Sequence, residues 1–216
     1  VFGSICSIPH GSKHEDQLAS YLEKLLRAHG CRVQRDEIGN LCAVVDPTPG
    51  FEHAPVVTLQ AHLDMVCEKN EATRHDFKRD GIRLIRNGDW LKADGTTLGA
   101  DNGIGVAAAA AIALSDGVRH GPLEILLTVD EESGLTGAMH LPPDFISGRF
   151  LVNLDAENAD SVCIGCAGGG GVATRLELVA EVPGKNYLWR TLRLTGLRGG
   201  HSGINIHENR ANAVKL

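Results

Sequence analysis

Short apolar segments alternate with a helix-forming segment along this chain, and that alternation constrains the fold more than any other feature. Three such segments, rich in leucine or β-branched residues, predict buried strands at 56–60, 123–129 and 150–154. Between the first two, the Ala-rich segment 99–114 predicts a buried helix. Strands that alternate with helices indicate an α/β fold with a mostly parallel sheet flanked by helices.

The N-terminal segment predicts a further helix and a strand pair. Ser12–Glu15 has the form of a capping box with the serine as N-cap, and apolar residues follow at helical spacing up to Leu26. Gly30 fits the position just past the end of this helix. Segments 31–33 and 40–45 then predict a hairpin-like pair of strands.

The composition changes at the four-glycine run 168–171, which predicts a domain boundary. We therefore expect residues 1–168 to form one α/β domain and residues 169–216 to begin a smaller α+β domain. Apolar and polar residues alternate over 172–194, which predicts an antiparallel hairpin with one wet face. Residues 209–216 predict the start of a helix.

Composition argues against several classes of function. The 216 residues carry a net charge of −6 and only 4% aromatic residues, which does not match a nucleic-acid-binding surface. No apolar run reaches the roughly 18 residues that a membrane span needs, and no secretory signal is visible. We therefore expect a cytoplasmic protein that binds neither nucleic acid nor membrane. The chain begins at Val1 and ends inside a predicted helix, so we also expect it to be a piece of a longer protein.

Acidic or histidine-bearing clusters stand where the predicted strands end and where the predicted helix begins. They are His62-Leu63-Asp64, Asp101-Asn102, Glu131-Glu132 and Asp155-Ala156-Glu157. Ionisable side chains are costly to place beside an apolar core unless they are paired or bind a cation. Because ligands of open α/β sheets bind at the carboxyl ends of the strands, we expect the clusters to converge on one crevice. The pattern predicts a hydrolase that uses two metal ions.

The residue types indicate how such a site would work. Imidazole together with carboxylates suits zinc or a similar first-row ion better than calcium. His62 would bind a metal, and Asp64, which points the same way along an extended chain, would orient its ring. Asp101 would bridge two metals about 3.5–4 Å apart. The side chains of Glu131 and Glu132 diverge in extended backbone, so one would bind metal while the other acts as general base.

Each cluster also has an ordinary structural interpretation. His62 and Asp64 would then be a surface pair at a strand end. Asp101 would be a carboxylate stabilised by a helix N-terminus, and Glu131-Glu132 would belong to an acidic surface turn. A single cluster leaves these alternatives open, whereas four clusters that share one sheet topology favour the metal site.

Longer motifs around these clusters give the chain a specific resemblance. The motifs are QAHLDMVCEKN at 60–70, GTTLGADNGIG at 95–105, GCAGG at 165–169 and GGHSG at 199–203. They resemble the bacterial aminoacyl-histidine dipeptidases, carnosinase-like zinc metallopeptidases of the group that includes aminoacylase and carboxypeptidase G. The resemblance covers nearly the whole chain. It implies hydrolysis of Xaa-His dipeptides, such as β-alanyl-histidine, by a di-zinc catalytic domain.

The resemblance also implies roles for the site residues. His62, Asp101 and Asp155 become the ligands of one Zn²⁺. Asp101 and Glu132 become ligands of a second Zn²⁺, with Co²⁺ or Mn²⁺ as possible substitutes. Glu131 becomes the general base.

Further implications concern the surroundings of those ligands. Asp64 is implied to orient the ring of His62. The Asp101–Asn102 peptide bond is implied to be cis. Glu157 follows the ligand Asp155 but receives no role from the resemblance, which makes a solvated acid the simpler interpretation.

In the family a lid domain closes over a small peptide substrate and joins two subunits into a homodimer. Residues 169–216 are implied to be the beginning of this lid, and 1–168 the N-terminal part of the catalytic domain. His201 is implied to stabilise the oxyanion; the alternative is a water-exposed histidine in a glycine loop. The family completes its second metal site with a histidine from a later segment, and His207 does not match that position.

Other functions stay open from the sequence. Another co-catalytic zinc exopeptidase or an N-acyl amino-acid deacylase would use the same two-metal chemistry. An inactive metal-binding fragment is an alternative of a different class. A serine hydrolase is disfavoured, because residues 200–204 lack the second glycine of the G-x-S-x-G motif.

Overall fold

The chain divides into two compact units, and the first contains a five-stranded mixed sheet. The computed structural model describes residues 1–156, 160–165, 168, 170, 172–200 and 205–216. The two units are Val1–Gly165 and Cys166–Leu216. The assignment of the second unit to a lid domain stays a prediction.

Within the described residues, regular secondary structure lies in the first unit. Among the described residues, the helices are α1 (Phe2–Cys6), α2 (Asp16–Ala28), α3 (Ala100–Ala113), α4 (Glu131–Gly134) and α5 (Thr136–Met139). The strands are β1 (Arg32–Arg35), β2 (Leu41–Val45), β3 (Val57–His62), β4 (Leu84–Asn87), β5 (Trp90–Ala93), β6 (Leu123–Thr128) and β7 (Phe150–Asn153). The large sheet has the order β1-β2-β6-β3-β7, and β4 and β5 form a separate antiparallel pair.

The predicted α/β fold is confirmed, with a sheet that is parallel where the acidic clusters lie. Strand β3 runs parallel to both β6 and β7. Strand β2 is antiparallel to β1 and to β6, because the predicted hairpin supplies the other edge of the sheet. Strand β7 forms the opposite edge. Its Phe150, Leu151 and Val152 are 58%, 51% and 46% exposed, so the strand predicted there is confirmed but its predicted burial is wrong, because an edge strand has a neighbour on one side only.

The core follows from the alternation of side chains along the strands. Leu123, Ile125 and Leu127 of β6 point to one face, where they join the main apolar cluster with residues of α2 and α3. Leu126 points to the other face and packs with Phe145 in a smaller cluster. Because both faces are covered, the ends of the central strands are the places where polar side chains reach a crevice.

Helix α2 confirms the predicted spacing and the predicted stop. Leu18, Leu22 and Leu26 are fully buried and form one face of the helix. Gly30 follows the helix with a φ of +85°, the left-handed conformation that glycine adopts without steric cost.

The predicted capping box is wrong. Helix α2 begins at Asp16, and Glu15 precedes it without a side-chain capping bond. The Ser12 hydroxyl instead donates to the carboxylate of Asp64 at 2.7 Å. The Glu15 carboxylate accepts a hydrogen bond from the Asp130 amide at 2.9 Å. Both side chains are taken up by tertiary contacts with the candidate site, which no local pattern reveals.

The second unit departs from its predictions. Within the described residues 172–200 no strand pair forms, although a turn closes from Gly184 to Tyr187. Leu176 and Leu188, which the hairpin would place on its apolar face, are 80% and 78% exposed. A two-stranded hairpin without a surface to pack on is marginal, which accounts for the difference. The predicted helix over 209–216 is also not formed: a turn hydrogen-bonded to Asn212 takes its place.

No helix in the described part of the chain has both the length and the apolar character needed to cross a membrane.

Candidate metal centre

His62 stands at the centre of the candidate site because it is the last residue of the central strand β3. It pairs in register with Thr128, the last residue of β6, and its side chain is 1% exposed. The ring Nδ1 lies 3.0 Å from the backbone carbonyl oxygen of Asp64. Because a carbonyl only accepts, Nδ1 carries a hydrogen, and Nε2 is left to face the crevice.

The Nε2 atom of His62 meets a ring of carboxylates. It lies 3.1 Å from Asp101 Oδ1, 3.8 Å from Asp155 Oδ2 and 4.0 Å from Glu131 Oε2. Burial by itself lowers the pKa of His62, but hydrogen bonds to Asp101 and Asp64 outweigh it and raise the pKa to about 10. The protonated imidazole donates a hydrogen bond from Nε2 to Asp101 Oδ1.

Two overlapping groups of donors surround this nitrogen. His62, Asp101 and Asp155 offer one ligand atom each within 4.8 Å of one another, and so do His62, Glu131 and Glu132. The first group is the set that the resemblance assigned to one ion. The assignment of Asp101 and Glu132 to a second ion stays a prediction.

Asp101 reaches the site through an irregular start of helix α3. The Asp101–Asn102 peptide bond is cis, as expected from the resemblance. Asp101 has φ −85° and ψ 109°, so the helix becomes regular only after this pair of residues. The Asp101 carboxylate consequently lies beside His62 rather than at the end of a regular helix.

Asn102 connects the two strand ends, a role that the sequence analysis did not assign. Its amide nitrogen donates to Asp155 Oδ1 at 3.0 Å and to the Leu154 carbonyl at 3.1 Å. Its Oδ1 accepts from the His62 backbone amide at 3.3 Å. A Cβ at Gly105 would lie 2.4 Å from this Oδ1, so the glycine provides the space. Gly105, the second glycine of the D-N-G-I-G motif, is the one sequence signal of this close approach.

Glu131 and Glu132 begin the short helix α4, so the extended backbone predicted for them is wrong. Asp130 precedes them in the left-handed conformation, with a φ of 52°, and turns the chain into the helix. The Glu131 amide donates to Asp64 Oδ1 at 2.9 Å and the Glu132 amide donates to Asp64 Oδ2 at 3.1 Å. Both glutamates therefore face the site from the first turn of one helix.

Asp64 connects His62 with the two glutamates. Its side chain is fully buried and also accepts the hydroxyl of Ser12. Burial raises the pKa of Asp64, but hydrogen bonds from His62, Ser12 and the two amides outweigh burial and lower the pKa to about 2. Asp64 therefore stays ionised. It orients the ring of His62 and also the first residues of helix α4.

Polar contacts of Asp130 hold the turn before helix α4. The Asp130 carboxylate accepts hydrogen bonds from the hydroxyls of Ser133 and Thr136. The Asp130 amide donates to the buried Glu15, whose pKa is raised by burial. These contacts fix the turn independently of the side chains of Glu131 and Glu132.

The chemistry of this donor set fits divalent cations. Burial, followed by the charge of Asp101, raises the pKa of Glu132 to about 7, and the same causes raise the pKa of Asp155. The carboxylates are thus too close to one another to ionise together at no cost. Imidazole nitrogen with carboxylate oxygens suits zinc and similar ions, which would take the place of the proton on His62.

Two predicted residues lie outside the described residues. They are His201 and Glu157. The oxyanion role of His201 and the interpretation of Glu157 as a solvated acid therefore stay predictions.

Comparison with known proteins gives the family. Residues 58–194 match the peptidase family M20/M25/M40. The chain belongs to this family. The family is metal-dependent, in agreement with the donor set around His62.

Individual relatives sharpen this assignment. The cytosol non-specific dipeptidase of Escherichia coli is 46% identical over the whole chain, which spans 44% of that relative. The structure of aminoacylhistidine dipeptidase from Vibrio alginolyticus is similar with a TM-score of 0.71 and 50% identity, over 72% of this chain and 32% of that one. A tripeptidase from Staphylococcus aureus matches with a TM-score of 0.61 and 26% identity, over 73% of this chain and 42% of that one. The resemblance to aminoacyl-histidine dipeptidases is confirmed, and the chain spans less than half the length of these relatives.

Proposed function

We propose that this chain carries the metal-binding half of a dipeptidase that hydrolyses Xaa-His dipeptides such as β-alanyl-histidine. The observation that supports it is the convergence of Asp101, Asp155, Glu131 and Glu132 on the buried Nε2 side of His62. The identity to a dipeptidase over the whole chain supports the same reaction class.

The proposed cofactors are two Zn²⁺ ions, with Co²⁺ or Mn²⁺ as substitutes. His62, Asp101 and Asp155 would hold one, and Asp101 and Glu132 would contribute to the other. When bound, the ions polarise the peptide carbonyl and make a water molecule more acidic.

Glu131 is the proposed general base. Its carboxylate takes a proton from the attacking water, and the oxygen then forms a bond to the carbonyl carbon of the peptide. When the C–N bond breaks, Glu131 returns that proton to the leaving amine. Asp64 holds the ring of His62 and the amides of helix α4, so that the base and the ligands keep their positions. His201 is proposed to stabilise the oxyanion.

The proposed setting follows what the family resemblance of the motifs implies. The substrate is a small peptide, and the protein is a homodimer joined through the lid that begins at 169–216. A cytoplasmic location is proposed because the Escherichia coli relative is named as a cytosolic enzyme.

The decisive test replaces Glu131 in the complete polypeptide. Glu131→Gln is expected to lower kcat for β-alanyl-histidine by about 10²–10⁴-fold, because it removes the proton acceptor, while zinc content stays unchanged. Glu37→Gln, at an exposed position, is the matched control. Normal turnover by the Glu131 variant would reject the assigned role.

A second candidate is another co-catalytic exopeptidase or an N-acyl amino-acid deacylase. The similarity to the tripeptidase supports this second candidate. A panel of Ala-His, β-alanyl-histidine, trialanine and N-acetyl-leucine separates these activities by their kcat/KM values. Metal binding without hydrolysis of any of them would favour a metal-binding module instead.

A further inference from the structure

His10 is a buried side chain that the proposed reaction does not use. It is 2% exposed, and its ring Nδ1 lies 2.6 Å from the backbone carbonyl oxygen of Ile8. Because a carbonyl only accepts, Nδ1 carries a hydrogen. Burial lowers the pKa of His10 below its ordinary value of 6.5, which keeps the ring neutral. The ring therefore presents a lone pair on Nε2.

The Nε2 atom of His10 has no assigned partner. It is fully buried and makes no hydrogen bond within the described part of the chain. A buried polar atom that lacks a partner is costly, and native structures rarely leave one unexplained. A lone pair is satisfied either by a hydrogen-bond donor or by a cation, so the neighbours of Nε2 indicate which of the two it receives.

Two sulfur atoms lie in the surroundings of this nitrogen. His10, Met65 and Cys67 line one narrow void that has no room for a water molecule. The Met65 amide donates to the His10 carbonyl at 3.2 Å, which holds the two chain segments side by side. The Cys67 thiol donates to the Met65 carbonyl at 3.6 Å. A bare ion bonds nitrogen and sulfur at about 2.0–2.3 Å, the range for zinc, so it fits where water does not.

Two glycines leave the space in which these donor atoms lie. A Cβ at Gly99 would lie 2.9 Å from Met65 Sδ and 3.3 Å from His10 Nε2, so both atoms border the same small space. A Cβ at Gly11 would lie 2.6 Å from Cys67 Sγ. Gly11 does not have a positive φ, so the closeness of the sulfur is what excludes a side chain there.

The donor types select the ion. Imidazole with a thiolate and a thioether suits Cu⁺, whereas protein ligands of zinc are cysteine, histidine and carboxylates rather than methionine. Asp80 also lines the void, and its negative charge favours a cation there. Met65 is 2% exposed, but Cys67 is exposed and gives an ion a path from solvent to the buried donors.

We propose that His10, Met65 and Cys67 form a Cu⁺ site that is separate from the candidate metal centre. On binding, the S–H bond of Cys67 breaks, its proton passes to solvent, and the thiolate electron pair forms the S–Cu bond. Nε2 of His10 and Sδ of Met65 each donate one lone pair. The ion stays Cu⁺ throughout, so no oxidant or reductant is needed. This inference does not depend on the proposed function.

The binding test titrates the complete polypeptide, already loaded with zinc, with Cu⁺ under argon. Bicinchoninate, a coloured chelator of Cu⁺, serves as the competitor. One Cu⁺ per chain is expected to be retained against the chelator, with the zinc content unchanged. Absence of retained Cu⁺ would overturn the proposal, and so would release of zinc in proportion to the Cu⁺ taken up, because the ion would then occupy the candidate metal centre.

Variants of the three donors assign the bound ion to this site. Cys67→Ser and His10→Gln are each expected to lower the Cu⁺ affinity by at least about 100-fold, because loss of a residue that only orients a ligand already costs about 10–100-fold. Met65→Leu is expected to lower it by about tenfold, since a thioether is the weakest of the three ligands. Met65→Leu nearly conserves volume in the core, so it keeps the test decisive if His10→Gln fails to fold.

The chain offers a matched control for each donor. Cys163, His29 and Met139 are exposed and do not line the void. Cys163→Ser, His29→Gln and Met139→Leu are expected to leave the Cu⁺ affinity within about twofold of the original, because a surface side chain away from the donors contributes no ligand. A Cu⁺ affinity that is unchanged in Cys67→Ser or in Met65→Leu would overturn the proposal.

X-ray absorption at the copper edge gives a readout that a merely structural role of these residues would not change. The original polypeptide is expected to show one nitrogen and two sulfur neighbours of copper, and Met65→Leu is expected to show one sulfur fewer. Copper with nitrogen and oxygen neighbours alone, or with both sulfurs kept in Met65→Leu, would overturn the assignment.

Discussion

The two sides of the candidate metal centre are held in different ways. On one side the side-chain amide of Asn102 donates a hydrogen bond to an oxygen of the Asp155 carboxylate, at 3.0 Å. On the other side the Asp64 carboxylate accepts hydrogen bonds from the backbone amides of Glu131 and Glu132, and the carboxylates of these two residues face the crevice. The first side thus fixes the direction of a predicted ligand, and the second fixes a helix start from which two side chains with different proposed roles emerge. The difference separates ligand orientation from backbone position, and substitutions can test each separately.

Among the substitutions that test this difference, the largest effect is expected from Asp64→Asn. An amide group offers a single acceptor oxygen and adds donors toward the amides of helix α4, so the glutamate side and the His62 ring both lose their anchor. We expect kcat/KM to fall by about 100-fold or more, and zinc affinity to fall with it. Kinetics and metal analysis measure both quantities. Asp46→Asn, which alters only an exposed ion pair with Arg32, is the control. Full activity of the Asp64 variant would contradict the anchoring role.

Asn102→Ala is expected to affect mainly the other side. Without the amide, the Asp155 carboxylate loses a donor, and zinc affinity should fall by about 10–100-fold. Because helix α4 stays anchored, saturating zinc should restore most of kcat, unlike in the Asp64 variant. Zinc titration followed by activity measurement checks this, with the exposed Asn87→Ala as control. An unchanged zinc affinity would show that the orientation of Asp155 does not depend on Asn102.

A smaller effect is expected from Ser12→Ala. The variant removes one hydrogen bond to an ionised carboxylate and leaves the other partners of Asp64 in place. We expect kcat to fall several-fold, with zinc affinity within about twofold of the original, given that one of several bonds is lost. Ser12→Thr keeps the hydroxyl and should restore kcat. A loss in Ser12→Thr equal to that in Ser12→Ala would assign the effect to packing instead.

The smallest effect on activity is expected from Glu124→Gln, which acts on stability. Glu124 is buried in β6 away from the centre and accepts hydrogen bonds from Ser147, Gly148 and Thr58. Burial raises the pKa of Glu124, but these hydrogen bonds outweigh burial and lower the pKa below its ordinary value of 4.5. The carboxylate therefore stabilises the fold above pH 4.5, and this contribution is lost as the pH falls through the lowered pKa.

Denaturant unfolding of the Glu124→Gln variant measures this contribution. The free energy of unfolding should fall by about 1–3 kcal/mol at pH 7. The difference from the original chain should shrink as the pH falls below 4.5. A difference that is constant with pH would contradict an ionised Glu124, and a fall in zinc affinity would contradict its separation from the centre.

The parts of this site that the sequence could predict are those set by topology. His62 and Asp155 were predictable because apolar runs before them identify strands, and parallel strands bring their carboxyl ends to one edge. Ser12 and Glu15 were not, because a capping box and a pair of tertiary contacts have the same local sequence. The fold decides between a cap and tertiary contacts, because it places Asp64 beside Ser12 and Asp130 beside Glu15.

Backbone conformation is a second reason why parts of the structure could not be predicted from the sequence. The divergence predicted for Glu131 and Glu132 assumed extended backbone, whereas the left-handed Asp130 turns the chain into a helix at that point. An aspartate with a positive φ is uncommon and is not coded by periodicity. The hairpin predicted over 172–194 failed for a different reason, because alternation describes a strand only when another surface covers its apolar face.

The exposed edge strand β7 has a practical consequence for handling the protein. Its hydrogen-bonding edge beyond β3 carries Phe150, Leu151 and Val152, all about half exposed. An apolar, uncharged strand edge is a template on which other strands add, so preparations of this chain will tend to self-associate as their concentration rises. Leu151→Lys would reduce that tendency and make solution measurements on the chain practicable.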